Sequence, residues 1–149
     1  MSVANVKAFA CTPRYIQGAG VISELNGFAG KLGKRAYILI TPSANKKYGA
    51  MLESFFENLS YVKEEFYGLV SCSNVDKYAE KALRAEADVI IAIGGGRCID
   101  SCKIIADKIS AKLIIVPTIA STDAPTSALS VIYSDEGEHI CEMTFDRSP

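Results

Sequence analysis

The chain has 149 residues, with 16 Lys plus Arg against 17 Asp plus Glu, a net charge of −1 and a pI near 5.9. That length suits one domain with a core of its own, and a nearly neutral chain without a basic stripe argues against a nucleic-acid partner. No apolar run reaches the roughly 18–20 residues of a membrane span. Met1 to Phe9 lacks the basic-then-apolar layout of a signal peptide. The five cysteines (Cys11, Cys72, Cys98, Cys102, Cys141) are odd in number, scattered and without a C-x-x-C pair, which fits reduced thiols in a cytoplasmic protein.

In chain order, Tyr15-Ile16-Gln17-Gly18 and a short helix after Gly20 come first. From residue 35 the chain alternates β-branched runs with helical stretches, which predicts βαβ units and an α/β fold with a mainly parallel sheet and helices on both faces. Arg35–Ile40 reads as a strand. Ala44–Leu59 reads as a helix on the spacing of Tyr48, Met51, Leu52, Phe55, Phe56 and Leu59, and Tyr61–Tyr67 as a second strand. Ser73 to Asp76 supplies N-cap chemistry for a helix carrying Tyr78, Ala79, Ala82 and Leu83. Val89–Ile93 is continuously apolar, as a strand covered on both faces should be. Gly94-Gly95-Gly96 interrupts it before a helix with Ile99, Cys102, Lys103, Ala106 and Ile109. Lys112–Val116 is a further strand closed by Pro117. Leu129–Tyr133 and Ile140–Phe145 then predict a C-terminal β-hairpin around Ser134 to Gly137.

Strand, triple glycine, helix is the arrangement in which backbone N–H groups and a helix N-terminus face an anion, because no Cβ holds a phosphate away. The dinucleotide fingerprint G-x-G-x-x-G is not met, since Ile99 stands at its last glycine, and no G-K-[ST] follows for a Walker loop. The alternative is a tight turn needed only for strand-to-helix packing. Asp100 sits where the helix dipole favours a carboxylate; the functional alternative is that it holds the nicotinamide side of a dinucleotide or orients the glycine loop. In Thr118 to Ser127, six of ten residues are Ser, Thr or Asp. They follow the C-terminal end of a buried strand, the edge at which open α/β sheets bind ligands. Asp123 there either accepts a bond from a substrate hydroxyl or caps a turn. His139 is the single histidine and falls near the hairpin turn without partners at ligand spacing, which predicts no metal site in this chain and speaks against a hydrolase.

Gly94-Gly95-Gly96-x-x-x-Asp100-x-x-Lys103, followed by the seventeen residues Pro117 to Tyr133, closely resembles the iron-containing (group III) alcohol dehydrogenase family in its glycerol dehydrogenase branch. Tyr15 to Gly18 looks like that family's first strand, and the match runs from about residue 13 to the end. The resemblance implies a Rossmann-like, dehydroquinate-synthase-like nucleotide-binding domain over 1–149. It also implies a helical metal-binding domain absent from this chain, whose Asp and two His ligands hold a divalent metal, usually zinc. By position, Gly94, Gly95, Gly96, Arg97, Cys98 and Asp100 would line the NAD pyrophosphate and nicotinamide site. Thr118, Ser121, Ser127, Leu129 and Tyr133 would contact the cofactor further along, and Asp123 would contact a glycerol hydroxyl. The implied reaction is metal-assisted hydride transfer from glycerol to NAD, giving dihydroxyacetone, in a homo-oligomer.

Three departures stand out. Thr41 occupies a position where the family usually has an Asp for the adenine ribose, which leaves NADP open beside NAD. Arg97, Cys98, Ser101 and Cys102 replace residues of the family pattern G-G-G-K-T-x-D-T-A-K, and Val70-Ser71-Cys72-Ser73 replaces Gly-Glu-Cys-Ser. The metal ligands are missing, so the chain is expected to be a fragment, inactive alone. The alternatives are a truncated nucleotide-binding module without catalysis and a related polyol or glycerol-1-phosphate dehydrogenase. The loop's lack of cationic residues argues against a phosphorylated substrate.

Overall fold

The computed structural model describes residues 13–56 and 59–145; Met1 to Phe9, Cys11 and the Asp146 to Pro149 ending lie outside them. A 3-10 turn at Val21–Glu24 leads into α1 (Leu25–Gly30). Then follow β1 (Arg35–Ile40), α2 (Pro42–Glu53), β2 (Ser60–Glu65), α3 (Cys72–Arg84), β3 (Val89–Gly94), α4 (Gly96–Lys108) and β4 (Lys112–Pro117). A separate pair, β5 (Leu129–Tyr133) and β6 (His139–Thr144), completes the described chain.

The first four strands form one parallel sheet in the order β2-β1-β3-β4. β5 and β6 form an antiparallel hairpin with a register shift at Ile132/Tyr133. The α/β class, the parallel sheet and the C-terminal hairpin are as the sequence predicts.

Side chains alternate across a strand, and the two cores divide accordingly. Tyr37 and Leu39 of β1 and Ile90 and Ala92 of β3 face Val75, Tyr78, Ala79 and Ala82 of α3 and Cys98, Ile99, Cys102 and Ile105 of α4. Ala36, Ile38, Ile40, Val89, Ile91 and Ile93 face Leu25 and Ala29 of α1 and Ala44 and Leu52 of α2. Every residue of β3 is buried, which is why its sequence is apolar without alternation. Each Ile or Val removed from water there contributes about 1.5–3 kcal/mol. Strand β1 lies inside the sheet, and the chain passes outward from it to β2, then returns to β3 on its other side. The order therefore reverses between β1 and β3, and that is the switch point of the sheet.

Several boundaries differ from the sequence reading. Helix α2 stops at Glu53, where the Ser54 hydroxyl donates to the Met51 carbonyl at 2.7 Å. Phe56 and Leu59 nevertheless join the core from the connection to β2, so the apolar spacing outlasts the helix. The cap of α3 is Ser71, whose Oγ accepts from the Asn74 N–H, two residues before the predicted Ser73. Residues 14–18 form no strand and are exposed. Among the described residues no partner pairs with them, and a strand needs a neighbour for its N–H and C=O groups.

Candidate functional site

The glycine turn stands at the switch point. Gly94 ends β3, Gly95 precedes α4 in extended backbone with φ −93° and ψ −173°, and Gly96 begins the helix. The first intrahelical bond runs from the Ile99 N–H to the Gly95 carbonyl at 3.1 Å. The N–H groups of Gly96, Arg97 and Cys98 therefore precede the helical ladder, where the dipole favours an anion. The lack of side chains here also serves packing. A Cβ on Gly94 would lie 2.6 Å from Thr41 Cγ2 and 2.9 Å from Cys98 Cβ. On Gly95 it would lie 3.0 Å from Ile119 Cδ1, and on Gly96 3.0 Å from Thr122 Oγ1.

Those last two contacts bring the hydroxyl-rich loop onto the turn. β4 pairs with β3 up to Gly94↔Pro117, and the Thr118 N–H donates to the Gly94 carbonyl at 3.0 Å. The loop leaves from there across the end of the sheet. Its second half is a tight turn in which the Asp123 carbonyl accepts from the N–H groups of Thr126 and Ser127 at 2.9 and 3.0 Å. The turn is thus closed by Asp123's backbone, while Asp123 itself is exposed.

A buried ion pair joins this loop to α4. The Lys103 side chain is 2% exposed. Its ammonium donates to Asp100 Oδ1 at 3.3 Å, Ser127 Oγ at 3.2 Å and the Leu129 carbonyl at 2.7 Å. Asp100 completes the tie, accepting from the Val131 N–H at 3.4 Å through Oδ2 and from Ser130 Oγ at 3.0 Å through its backbone carbonyl. Burial pushes the Asp100 carboxyl above its ordinary value, against the pull of Lys103, and the charge of Asp123 adds to the rise. Burial lowers the Lys103 ammonium, and Asp100 opposes that shift.

The structure brings most of the sequence-selected residues to this one edge. Gly94, Gly95, Gly96, Thr118, Ser121, Asp123, Ser127 and Leu129 lie along the turn and the loop over it, and Arg97 is exposed at the start of α4. Cys98 is arranged differently. It is 1% exposed, and its thiol donates inward to the Leu39 carbonyl at 3.5 Å, so only its backbone N–H belongs to the turn. The hydrogen bonds of the Asp100 carboxylate run to Lys103 and the hairpin. Tyr133 is held at the opposite end of β5, its N–H donating to the Val70 carbonyl at 2.8 Å. His139 begins β6, exposed, its ring edge-on to Tyr133. Among the described residues no three His, Cys, Asp or Glu side chains converge on a possible metal position.

One contact had no signal in the sequence. Asp135 of the hairpin turn accepts from Ser71 Oγ at 2.6 Å and from Ser73 Oγ, at the N-terminus of α3. These hydroxyls hold its carboxyl below the ordinary range. The partners are more than sixty residues apart in sequence, beyond any local pattern.

Fold and edge together define an open α/β domain with the glycine turn and the hydroxyl-rich loop side by side at its switch point. The sequence profile of the iron-containing alcohol dehydrogenases matches residues 12–148, and the chain belongs to that family. It is 39% identical over 139 residues to a glycerol dehydrogenase of Thermotoga maritima, covering 91% of this chain and 37% of that protein. It is 39% identical over 127 residues to one of Escherichia coli, covering 84% and 35%. A solved structure of a probable glycerol dehydrogenase from Sinorhizobium meliloti superposes with a TM-score of 0.86 at 34% identity, covering 97% of this chain and 39% of that one. The chain thus spans rather more than a third of the length of these relatives.

Proposed function

We propose that this chain is the dinucleotide-binding part of an NAD-dependent glycerol dehydrogenase. The observation that carries the reading is the convergence of the glycine turn and the hydroxyl loop at the switch point between β1 and β3, where open α/β sheets bind nucleotides. The N–H groups at the start of α4 would take the pyrophosphate, with Arg97 beside them. Thr118, Ser121 and Ser127 would supply hydroxyls to the ribose and phosphates, and Leu129 and Tyr133 would flank the far half of the ligand. Bound NAD supplies the hydride acceptor for oxidation of a carbinol.

The exposed Asp123 carboxylate can accept a hydrogen bond from a polyol hydroxyl and so orient it toward the loop. The names of the relatives support a small polyol: two glycerol dehydrogenases and, at 33% identity, a glycolaldehyde reductase of Halobacterium salinarum. The divalent metal of the proposed reaction, zinc in this reading, does not fit the described residues, which offer no cluster of ligands. Its ligands would come from a helical domain outside this chain. A homo-oligomer in the cytoplasm completes the proposal; no helix among the described residues is long and apolar enough to cross a membrane.

Calorimetric titration of the chain with NAD, and with NADP in parallel, tests the reading. Saturable binding of NAD is the expected result. Heat from neither dinucleotide, with the chain folded by circular dichroism, would remove it.

A further inference from the structure

Lys103 occupies a place where packing alone would select a hydrocarbon. It stands on α4 among Cys102, Ile104, Ile105 and Ala106, all buried, and an ammonium there loses its hydration. A lysine is tolerated in such a position only if each of its donors is used. All three are, and two of the three acceptors, Ser127 Oγ and the Leu129 carbonyl, lie on the one segment that leads from the hydroxyl loop into the hairpin. The third, Asp100, reaches the same segment through the Val131 N–H and the Ser130 hydroxyl. The pair therefore fastens residues 127–131 at four points to the helix that begins at the glycine turn.

β5 has few other ties. Among the described residues it pairs with β6 alone, whose residues are mostly exposed, and neither strand joins the main sheet. Its far end is tied by the Tyr133 N–H to the Val70 carbonyl. Without the bracket, the segment would be held by the Asp123 turn before it and the Tyr133 N–H bond to the Val70 carbonyl after it. Between those points only the hairpin's apolar contacts with the core would place it, and these are not directional. Hydrogen bonds to a charged group fix both distance and direction.

We infer that Lys103 is a positioning residue that sets residues 127–131 for the nicotinamide half of the dinucleotide, while the glycine turn holds the pyrophosphate independently of it. This rests on the dinucleotide reading above and adds a division of labour within it. Lys103 touches no ligand in this scheme; it acts through Ser127 and Leu129.

The test compares ADP, which presents only the adenine half and a diphosphate, with NAD, titrated calorimetrically into the wild-type chain, Lys103→Met and Ser130→Ala. Amide hydrogen exchange is followed on the same samples. Methionine keeps the length of the side chain and removes its donors. Ser130→Ala removes one tie of the bracket at small change in volume, so it remains informative should the lysine variant fold poorly. The expected result is NAD binding weakened about tenfold or more in Lys103→Met, and less in Ser130→Ala, with ADP affinity unchanged within about twofold. Amides of residues 127–133 should exchange faster, those of β1 and β3 at wild-type rates. Equal weakening of ADP and NAD, or faster exchange throughout the sheet, would show that Lys103 supports the fold as a whole and overturn the inference. Unchanged NAD binding overturns it too. A wild-type chain that binds ADP no more weakly than NAD overturns this inference and leaves the dinucleotide reading standing; one that binds neither removes both.

Discussion

Gly94 and Thr41 meet across the switch point of the sheet: a Cβ on the glycine would stand 2.6 Å from the threonine methyl. The Thr41 N–H also donates to the Ile93 carbonyl at 2.9 Å, so the ends of β1 and β3 are fixed to each other at the place where the nucleotide is proposed to enter. The same Cβ would also stand 2.9 Å from Cys98 Cβ, on the buried start of α4.

Gly94→Ala should therefore destabilise the fold by about 1–3 kcal/mol, the ordinary cost of overpacking a core. Gly95→Ala should differ. Its backbone is extended, which alanine adopts without strain, and the crowding atom is the tip of Ile119, itself 51% exposed. Stability should stay within about 1 kcal/mol of wild type, while NAD binding falls because the methyl stands over the turn. Urea unfolding beside calorimetric titration separates the two effects. Equal loss of stability in both variants would contradict the packing argument.

The sequence carried the sheet well because β1, β3 and β4 are short apolar runs closed by Thr41-Pro42, glycines and Pro117. β1 and β3 are buried on both faces, whereas β4, read as a buried strand, stands at the end of the strand order with its apolar residues only half-buried. Helix ends were less legible. Phe56 and Leu59 keep helical spacing although they are buried from a loop, since burial and not helicity is what the spacing reports. At the site, the glycine turn and hydroxyl loop were visible as composition, but their mutual contact through Ile119 and Thr122 was not. Lys103 stood within the recognised motif, yet only the three-dimensional arrangement shows it buried and fully bonded. The inward turn of Cys98 likewise follows from its place on α4 facing β1, which no spacing within its own helix discloses.

Ser71 has two roles that one substitution would remove together. Its hydroxyl caps α3 by accepting from the Asn74 N–H and donates to Asp135 of the hairpin turn. Ser71→Ala should cost about 1 kcal/mol through the lost cap, and Ser73→Ala, which leaves the cap in place, should cost less. Hydrogen exchange should show the second role as faster exchange around Glu136 to Glu138 in Ser71→Ala. Protection there at wild-type levels would mean that the Asp135 contact does not hold the turn.

Thr41→Asp tests how the end of β1 reads the cofactor. The position is the N-cap of α2, where aspartate is among the favoured residues and gains from the helix dipole, so the fold should accept it. A carboxylate at the end of this strand can pair with ribose hydroxyls and repels a 2′-phosphate. The ratio of NAD to NADP affinity should rise by about tenfold, the worth of one charge-assisted hydrogen bond. A ratio unmoved by the substitution would place the adenine ribose elsewhere.

Asp88 couples stability to pH at the opposite edge of the sheet, well away from the proposed cofactor. Its carboxylate accepts from the Lys34 N–H at 2.9 Å and the Arg35 N–H at 2.8 Å, closing the start of β1 against β3. Partial burial pushes this carboxyl up, but the backbone donors of Lys34 and Arg35 outweigh burial and hold it below its ordinary value. A group depressed in the folded state contributes stability that is fully present above its unfolded value, about 4 for aspartate, and is lost as pH falls through the folded one. Asp88→Asn should accordingly cost about 1–2 kcal/mol at pH near 7. The gap between variant and wild type should close as the solution is taken below about pH 4. Urea unfolding at several pH values measures it directly. A gap that persisted unchanged into acid would mean that the geometry of the side chain, and not its charge, secures β1.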